Sequence, residues 1–339
     1  MKKNQQYAII LSGGSGERFW PLSTSEKPKQ FLTIFGGRSL LRQSVDRLNG
    51  FIDKSNILII TNEILKDLTY NELPDIPKEN IICEPCRRDT AAAIALACSI
   101  IKNRSGDNAI GAVLTADQLI NNKKEFHKIL KSAFYLADNT DNIITIGIKP
   151  TFPATNFGYI KLGKQVNSKY NTINNMANKF VEKPNLYIAK RYIKTNNFVW
   201  NGGMFIWKVS TLNKAILDHT PYLYDLSIDK YNDIPKISFD YAIMEKISNI
   251  IVISADFGWD DVGTWLSAEK YFDKDDNNNS IYGEVNLLNC NDSIIVSNGQ
   301  KISAIGIQDL IIVSTNNNVF VTTKSHINDI KTLLNKENT

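Results

Sequence analysis

The run Ala8-Ile9-Ile10-Leu11-Ser12-Gly13-Gly14-Ser15-Gly16-Glu17-Arg18-Phe19-Trp20-Pro21-Leu22, continuing to Lys27-Pro28-Lys29-Gln30-Phe31, decides the fold. Its apolar part is too short for a globular helix and opens straight into three glycines. That is the pattern of a buried strand leading into a loop. Glycine has no Cβ and tolerates positive φ, so backbone N–H groups in such a loop can close around a polyphosphate. Arg18 and Lys29 would add a planar fork and a mobile point charge. An ordinary strand-to-loop turn with a solvated arginine fits the same residues. Two familiar phosphate loops do not fit: the last glycine of a dinucleotide fingerprint would fall where Phe19 stands, and no Gly-Lys-Ser/Thr follows.

Across 339 residues, 39 Lys and Arg face 35 Asp and Glu. That balance implies no nucleic-acid polymer and no membrane as partner, so an anion site must be local. The length allows one large α/β domain and a smaller one. The run ending at Leu11 makes no signal peptide and no apolar stretch has spanning length, so a soluble, cytoplasmic protein is expected. Four cysteines suit a reducing compartment. Cys83 and Cys86 are spaced C-x-x-C, yet His127, His219 and His326 are scattered singly, so the thiols read as small buried hydrophobes rather than a metal or redox pair.

Short β-branched runs at Ile57–Thr61, Asn80–Cys83, Ile110–Leu114 and Ile143–Ile146 alternate with helical spacing at Leu40–Leu48, Glu63–Leu73, Ala91–Lys102 and Glu125–Ala137. The expected fold class is α/β: a Rossmann-like, mainly parallel sheet with helices on both faces. Ligands then sit outside the carboxyl ends of the strands. Two aspartates stand beyond apolar runs, Asp117 in Thr115-Ala116-Asp117-Gln118 and Asp261 in Phe257-Gly258-Trp259-Asp260-Asp261-Val262-Gly263. Asp117 serves as a turn cap or, given a partner, as a metal ligand. In Phe180-Val181-Glu182-Lys183-Pro184 an adjacent pair on a strand points to opposite faces, so one member is expected to be simply solvated. Asp240 to Lys246 reads as a packed helix. After the polar stretch Asp273–Ser280, a boundary, short apolar runs at 294–296, 302–305, 310–313 and 319–321 describe an all-β end piece, a sandwich-like appendage or short β-helix coils. The expected domains are 1–275 and 276–339.

Gly-Gly-x-Gly-x-Arg, Trp20-Pro21-Leu22 and Lys29-Gln30-Phe31-Leu32 together resemble the sugar-phosphate nucleotidyltransferases, most closely the mannose-1-phosphate guanylyltransferase family. The likeness continues through Glu84-Pro85-Cys86-Arg87-Arg88-Asp89-Thr90-Ala91, Pro150 to Ile160, Glu182-Lys183, Trp200-Asn201-Gly202-Gly203-Met204-Phe205 and the Asp261 segment, nearly the whole large domain. Asp89 stands where the family has Asn, Gly202 where it has Ser, and Asp260 where it has Ser.

The resemblance implies GMP transfer from GTP to α-D-mannose 1-phosphate, giving GDP-mannose and pyrophosphate. It implies triphosphate held by Leu11, Gly13, Gly14, Gly16, Arg18 and Lys29, and guanine by Glu84, Arg88, Asp89 and Thr90. Sugar contacts fall to Gly158, Glu182 and Asn201, sugar phosphate to Lys183, and Mg²⁺ to Asp117 and Asp261. It also implies a β-helical tail that joins a homodimer. Another sugar 1-phosphate, such as a heptose, and a non-catalytic regulatory subunit remain open.

Overall fold

Isoleucine and valine, stiff at χ1 and favoured on a pleated surface, fill the strands of the central sheet. The computed structural model describes residues 4–14 and 16–337. The chain divides into two compact units. One holds the residues up to Gly13, Ser44–Ala116 and Ile120–Trp259; the other holds Gly14–Gln43, Asp117–Leu119 and the chain from Asp260 on.

In the first unit, the strands are β1 Gln6–Leu11, β2 Ile57–Asn62, β3 Ile81–Glu84, β4 Ile110–Thr115, β5 Ile143–Ile148, β6 Tyr159–Gln165, β7 Ile173–Val181, β8 Phe198–Lys208 and β9 Ile250–Ala255. They form one sheet in the order β3-β2-β1-β4-β8-β5-β9-β7-β6, with β6 also pairing β8. β3, β2, β1 and β4 are parallel neighbours, as are β5 and β9. β8 runs against β4 and β5, and β7 against β9 and β6. The sheet is therefore mixed but mainly parallel in direction, and α/β as expected.

Its helices are α1 Lys66–Glu72, α2 Asp89–Ser105, α3 Lys123–Asn139, α4 Leu186–Lys194 and α5 Val209–His219. Ile9, Leu58, Ile60 and Val113 join one core cluster with the alanines of α2 and with Leu212 and Ile216 of α5. Their neighbours Ala8, Ile10, Ile57 and Ile59 are as deeply buried on the opposite face. The small side chains of α2 leave room for close approach to the sheet.

The second unit is organised by a short parallel β-helix. β10 Ser280–Tyr282, β12 Ile294–Ser297 and β14 Leu310–Ser314 stack in register, and β11 Val285–Leu288 pairs β13 Ile302–Ile305 beside them. β15 Val319–Thr323 closes the stack antiparallel to β14. Ile294, Val296, Ile311 and Val313 face a core that also contains Phe19, Leu22, Leu32, Phe35, Val262 and Trp265. The residues just after the glycine loop thus share a core with the tail. The polar stretch before β10 is a built turn: Asn279 is fully buried, donates to Asp275 and Cys290, and accepts from Ser293 N–H.

Candidate functional site

Within the second unit, Lys29 is 6% exposed, and its ammonium needs partners because an unpaired buried charge is expensive. It finds two. Nζ lies 3.0 Å from Asp117 Oδ2 and donates to the Asp261 carbonyl at 2.5 Å. Gly16 has φ 60°, and a Cβ there would collide with the Lys29 backbone, so glycine lets the loop close onto the lysine. A Cβ at Gly14, by contrast, would meet nothing within 4 Å. At Gly263 a Cβ would stand 2.8 Å from Asp261 Oδ2 and 3.5 Å from Arg18 Nη1, so this glycine leaves open the space on which carboxylate and guanidinium converge.

Burial pushes the Asp261 carboxyl above its usual range. Lys29 works against the shift, Asp260 and Asp117 add to it, and Arg18 opposes it. Val262, a β-branched residue, holds φ 41°, which is strained backbone. Its N–H is pinned to Asp260 Oδ1 at 2.9 Å and its side chain is fully buried. Asp260 also accepts from Tyr271 Oη and meets Lys270 Nζ, each at 2.6 Å. That carboxylate is committed to shaping the turn.

The donor set suits a hard divalent cation. Asp261 is a half-buried carboxylate near Asp260 and Asp117, with Lys29 and Arg18 countering their charge. Among the described residues no group of three or more His, Cys, Asp or Glu could close a cage. Two carboxylates, with the remaining positions left to water and phosphate, are a donor set that a hard divalent cation can use.

In the first unit, the residues expected at the base begin at the carboxyl end of β3, where Glu84 faces the residues after β1. A Cβ at Gly13 would be 3.0 Å from Glu84 Oε2. Tyr231 Oη donates to Glu84 Oε1. Burial pushes the Glu84 carboxyl up to about 7; the Tyr231 bond and Arg87 oppose this, and Asp89 adds to it. Arg88 donates from Nη2 to the Asn232 carbonyl, while its buried Nε makes no hydrogen bond. Thr90 Oγ1 accepts from Phe239 N–H at 2.8 Å. Asp89 sits at φ 65° and accepts from Thr90 N–H at 2.7 Å. Asn and Asp are the residues that best tolerate that left-handed geometry, so the exchange costs the backbone little. Leu11 ends β1, its carbonyl accepting from Ala116 N–H at 3.2 Å.

The expected sugar residues also lie in this unit. Gly158 O accepts from Asn201 N–H at 2.8 Å. Glu182 and Lys183 depart from strand alternation: β7 ends at Val181, and Lys183 turns to φ 46°. Adjacent side chains therefore meet, Lys183 Nζ lying 2.7 Å from Glu182 Oε1. Burial disfavours the Lys183 charge, but Glu182 outweighs it and the ammonium titrates above its ordinary value. Glu182 Oε2 is buried without a hydrogen bond, and a Cβ at Gly158 would stand 2.5 Å from it. Phe157 packs against Trp200 and Trp259 at 5.1 and 5.4 Å between centroids, bracing the segment before Gly158.

Tyr231, Asp240 and Glu245 hold these residues and were not legible in the sequence. Only the wording Asp240–Lys246 carried a signal, and it reads as packing. The helix expected there is present as a short π-helix, Asp240–Met244.

The nucleotidyl transferase family model matches residues 7–278, and that of the MannoseP isomerase/GMP-like beta-helix domain matches 283–336. The chain belongs to the nucleotidyl transferase family. More particular relatives are mannose-1-phosphate guanylyltransferases. That of Escherichia coli is 34% identical over 96% of this chain and 74% of its own length. Mannose-1-phosphate guanylyltransferase RfbM of Salmonella typhimurium is 35% identical over 96% of this chain and 71% of its own. A Thermus thermophilus structure described as a mannose-1-phosphate geranyltransferase superposes with TM-score 0.88 at 27% identity, covering 99% of this chain and 100% of that one. No described helix is long and apolar enough to cross a membrane.

The raised Glu84 carboxyl has a consequence for stability. A carboxyl whose folded pKa lies above its unfolded value binds its proton more tightly when folded. Its contribution is complete below the unfolded value of 4.5 and is lost as pH rises to about 7. Glu84→Gln, which stays neutral, should therefore flatten the fall in stability between pH 5 and 8 by on the order of 2 kcal/mol. Urea unfolding of both proteins across that range checks it, and equal falls would mean that Glu84 ionises normally.

Proposed function

We propose that this chain transfers GMP from GTP to α-D-mannose 1-phosphate, releasing GDP-mannose and pyrophosphate. The observation that carries the reading is the convergence of Lys29 on Asp117 and the Asp261 carbonyl, with the Asp261 carboxylate and the Arg18 guanidinium approaching the space left at Gly263. Two cations and two carboxylates in one place suit a polyphosphate accompanied by a metal ion, and the relatives' names supply the sugar and the base. The nucleophile is a sugar-phosphate oxygen, already an anion, attacking the α-phosphorus in line. No side-chain base is needed, and catalysis is positioning and charge neutralisation.

In this reading the backbone at Leu11, Gly13, Gly14 and Gly16 receives the triphosphate, and Arg18 and Lys29 neutralise the departing pyrophosphate. Glu84, Arg88, Asp89 and Thr90 form the guanine segment, Arg88 with its unbonded Nε. Glu182, Asn201 and Gly158 read sugar hydroxyls, and Lys183 orients the sugar phosphate. Asp117 and Asp261 would hold Mg²⁺, which when bound supplies charge neutralisation at the phosphates. We assign catalysis to 1–275 and association to 276–339, and place the protein in the cytoplasm, where its four free thiols are at home.

A pyrophosphate-release assay over four nucleoside triphosphates and several sugar 1-phosphates tests the activity. GTP with mannose 1-phosphate should give the highest kcat/KM; equal turnover with UTP or dTTP would remove the guanine assignment, and preference for a heptose 1-phosphate the mannose one.

The two aspartates should act as one unit. Asp117→Asn and Asp261→Asn should each lower kcat on the order of 10²-fold, as loss of other preorganised charge does, with the double variant little worse than the poorer single one. Multiplying losses would separate the two roles. A cap tolerates Asp to Asn, so near wild-type turnover in either variant would remove that residue from the metal site.

We propose that the tail joins a homodimer. Leu288 and Ile305, register partners on β11 and β13, are 57% and 72% exposed. Leu288→Asp with Ile305→Asp should halve the mass seen by light scattering, and an unchanged mass would place the contact elsewhere.

A further inference from the structure

The short π-helix at Asp240–Met244 is closed by the Glu245 N–H donating to the Asp240 carbonyl at 2.9 Å. Its apolar side chains, Ala242, Ile243 and Met244, are buried as packing requires. Its acids do something else. Asp240 Oδ1 accepts from Asn201 Nδ2 at 2.8 Å, and Glu245 Oε1 accepts from Glu182 N–H at 2.9 Å. One turn therefore takes hold of both residues expected to read the sugar. Turns of this kind recur at functional sites.

Hydrogen-bond capacity then narrows what Asn201 has left. Its Oδ1 accepts from Gly203 N–H at 3.2 Å and shares the single Thr145 hydroxyl hydrogen, 3.2 Å away, with the Met204 carbonyl at 3.1 Å. Asp240 takes one amide hydrogen, leaving a single N–H. Glu182 is the complement: Oε1 is bound to Lys183, while Oε2 is buried and unbonded beside Gly158. One spare donor and one spare acceptor suit a hydroxyl, which accepts with its oxygen and donates its hydrogen.

We propose that Asp240 is a positioning residue that locks the Asn201 amide with one N–H presented, so that Asn201 and Glu182 together select a sugar 1-phosphate carrying a hydroxyl at one defined ring position. This rests on the reading that Glu182, Lys183 and Asn201 receive the sugar. Burial pushes the Asp240 carboxyl up to about 7 with Glu182 adding to the shift, and its own backbone N–H, Lys183 and Asn201 hold it down. Such a group is retained in the interior at a cost.

The test compares Asp240→Ala, Asp240→Leu and Asp240→Asn with wild type, using mannose 1-phosphate and its monodeoxy analogues at saturating GTP. Alanine and leucine remove the acceptor, and leucine keeps the volume, so a folding failure of one leaves the other. Both should raise KM for the sugar 1-phosphate about tenfold or more, the value of a hydrogen bond to a charged group, with KM for GTP within about twofold. The penalty against one deoxy analogue should shrink in both, and asparagine, which still offers an oxygen to the Asn201 amide, should restore most of it. An active wild type with unmoved sugar KM in the variants, or a parallel rise in both KM values that asparagine does not rescue, would overturn the Asp240 assignment alone. A wild type that turns over no sugar 1-phosphate would overturn the parent reading instead.

Discussion

The ammonium of Lys29 is the tie on which the charged side chains of the second unit depend. It joins the loop after Gly16, the residue beyond β4 and the residue beyond β9, three stretches far apart in sequence. A buried cation is tolerated only when its partners are in place, so the same contacts that stabilise Lys29 set where Asp117 and the Asp261 backbone lie. Here the Lys29 and Asp117 charges hold one another in place.

Backbone strain and missing side chains complete that arrangement. Val262 is kept in a left-handed conformation by a bond to Asp260, whose carboxylate is itself gripped by Tyr271 and Lys270. The turn is paid for by its surroundings and fixes the residue just before it, Asp261. Gly16 and Gly263 do the opposite job: Gly16 leaves out a Cβ where the Lys29 backbone closes in, and Gly263 leaves one out where the Asp261 carboxylate and the Arg18 guanidinium approach.

The buried groups with capacity to spare mark where a ligand can bind. Glu182 Oε2 and Arg88 Nε make no hydrogen bond within the protein, although buried polar atoms nearly always do. Their neighbours have protein partners: Thr90 Oγ1 accepts from Phe239 N–H, and Asn201 gives one amide hydrogen to Asp240 and keeps the other. Polar atoms bonded inside the protein support the site, and unbonded ones are free to recognise something outside it.

What the sequence determined by itself was whatever is local. Alternating β-branched runs and helical spacing announced the α/β sheet because side-chain period follows secondary structure directly. The glycine loop, Asp117 and Asp261 were visible because they sit where strands end, which a one-dimensional reading can find. The tail was legible as β structure, but a sandwich and a β-helix share the same short apolar runs. Only the register of Ser280 on Ile294 and Ile294 on Ile311 decided between them. Nor could strand alternation foresee that Lys183 would leave the strand and turn back onto Glu182, since that depends on one dihedral angle at a chain exit. The partners of Asn201 and Glu182 lay hidden in a segment that reads as packing. Asp240 is close to Asn201 and Glu245 to Glu182 only once the chain has folded, because contacts between residues distant in sequence leave no period in it.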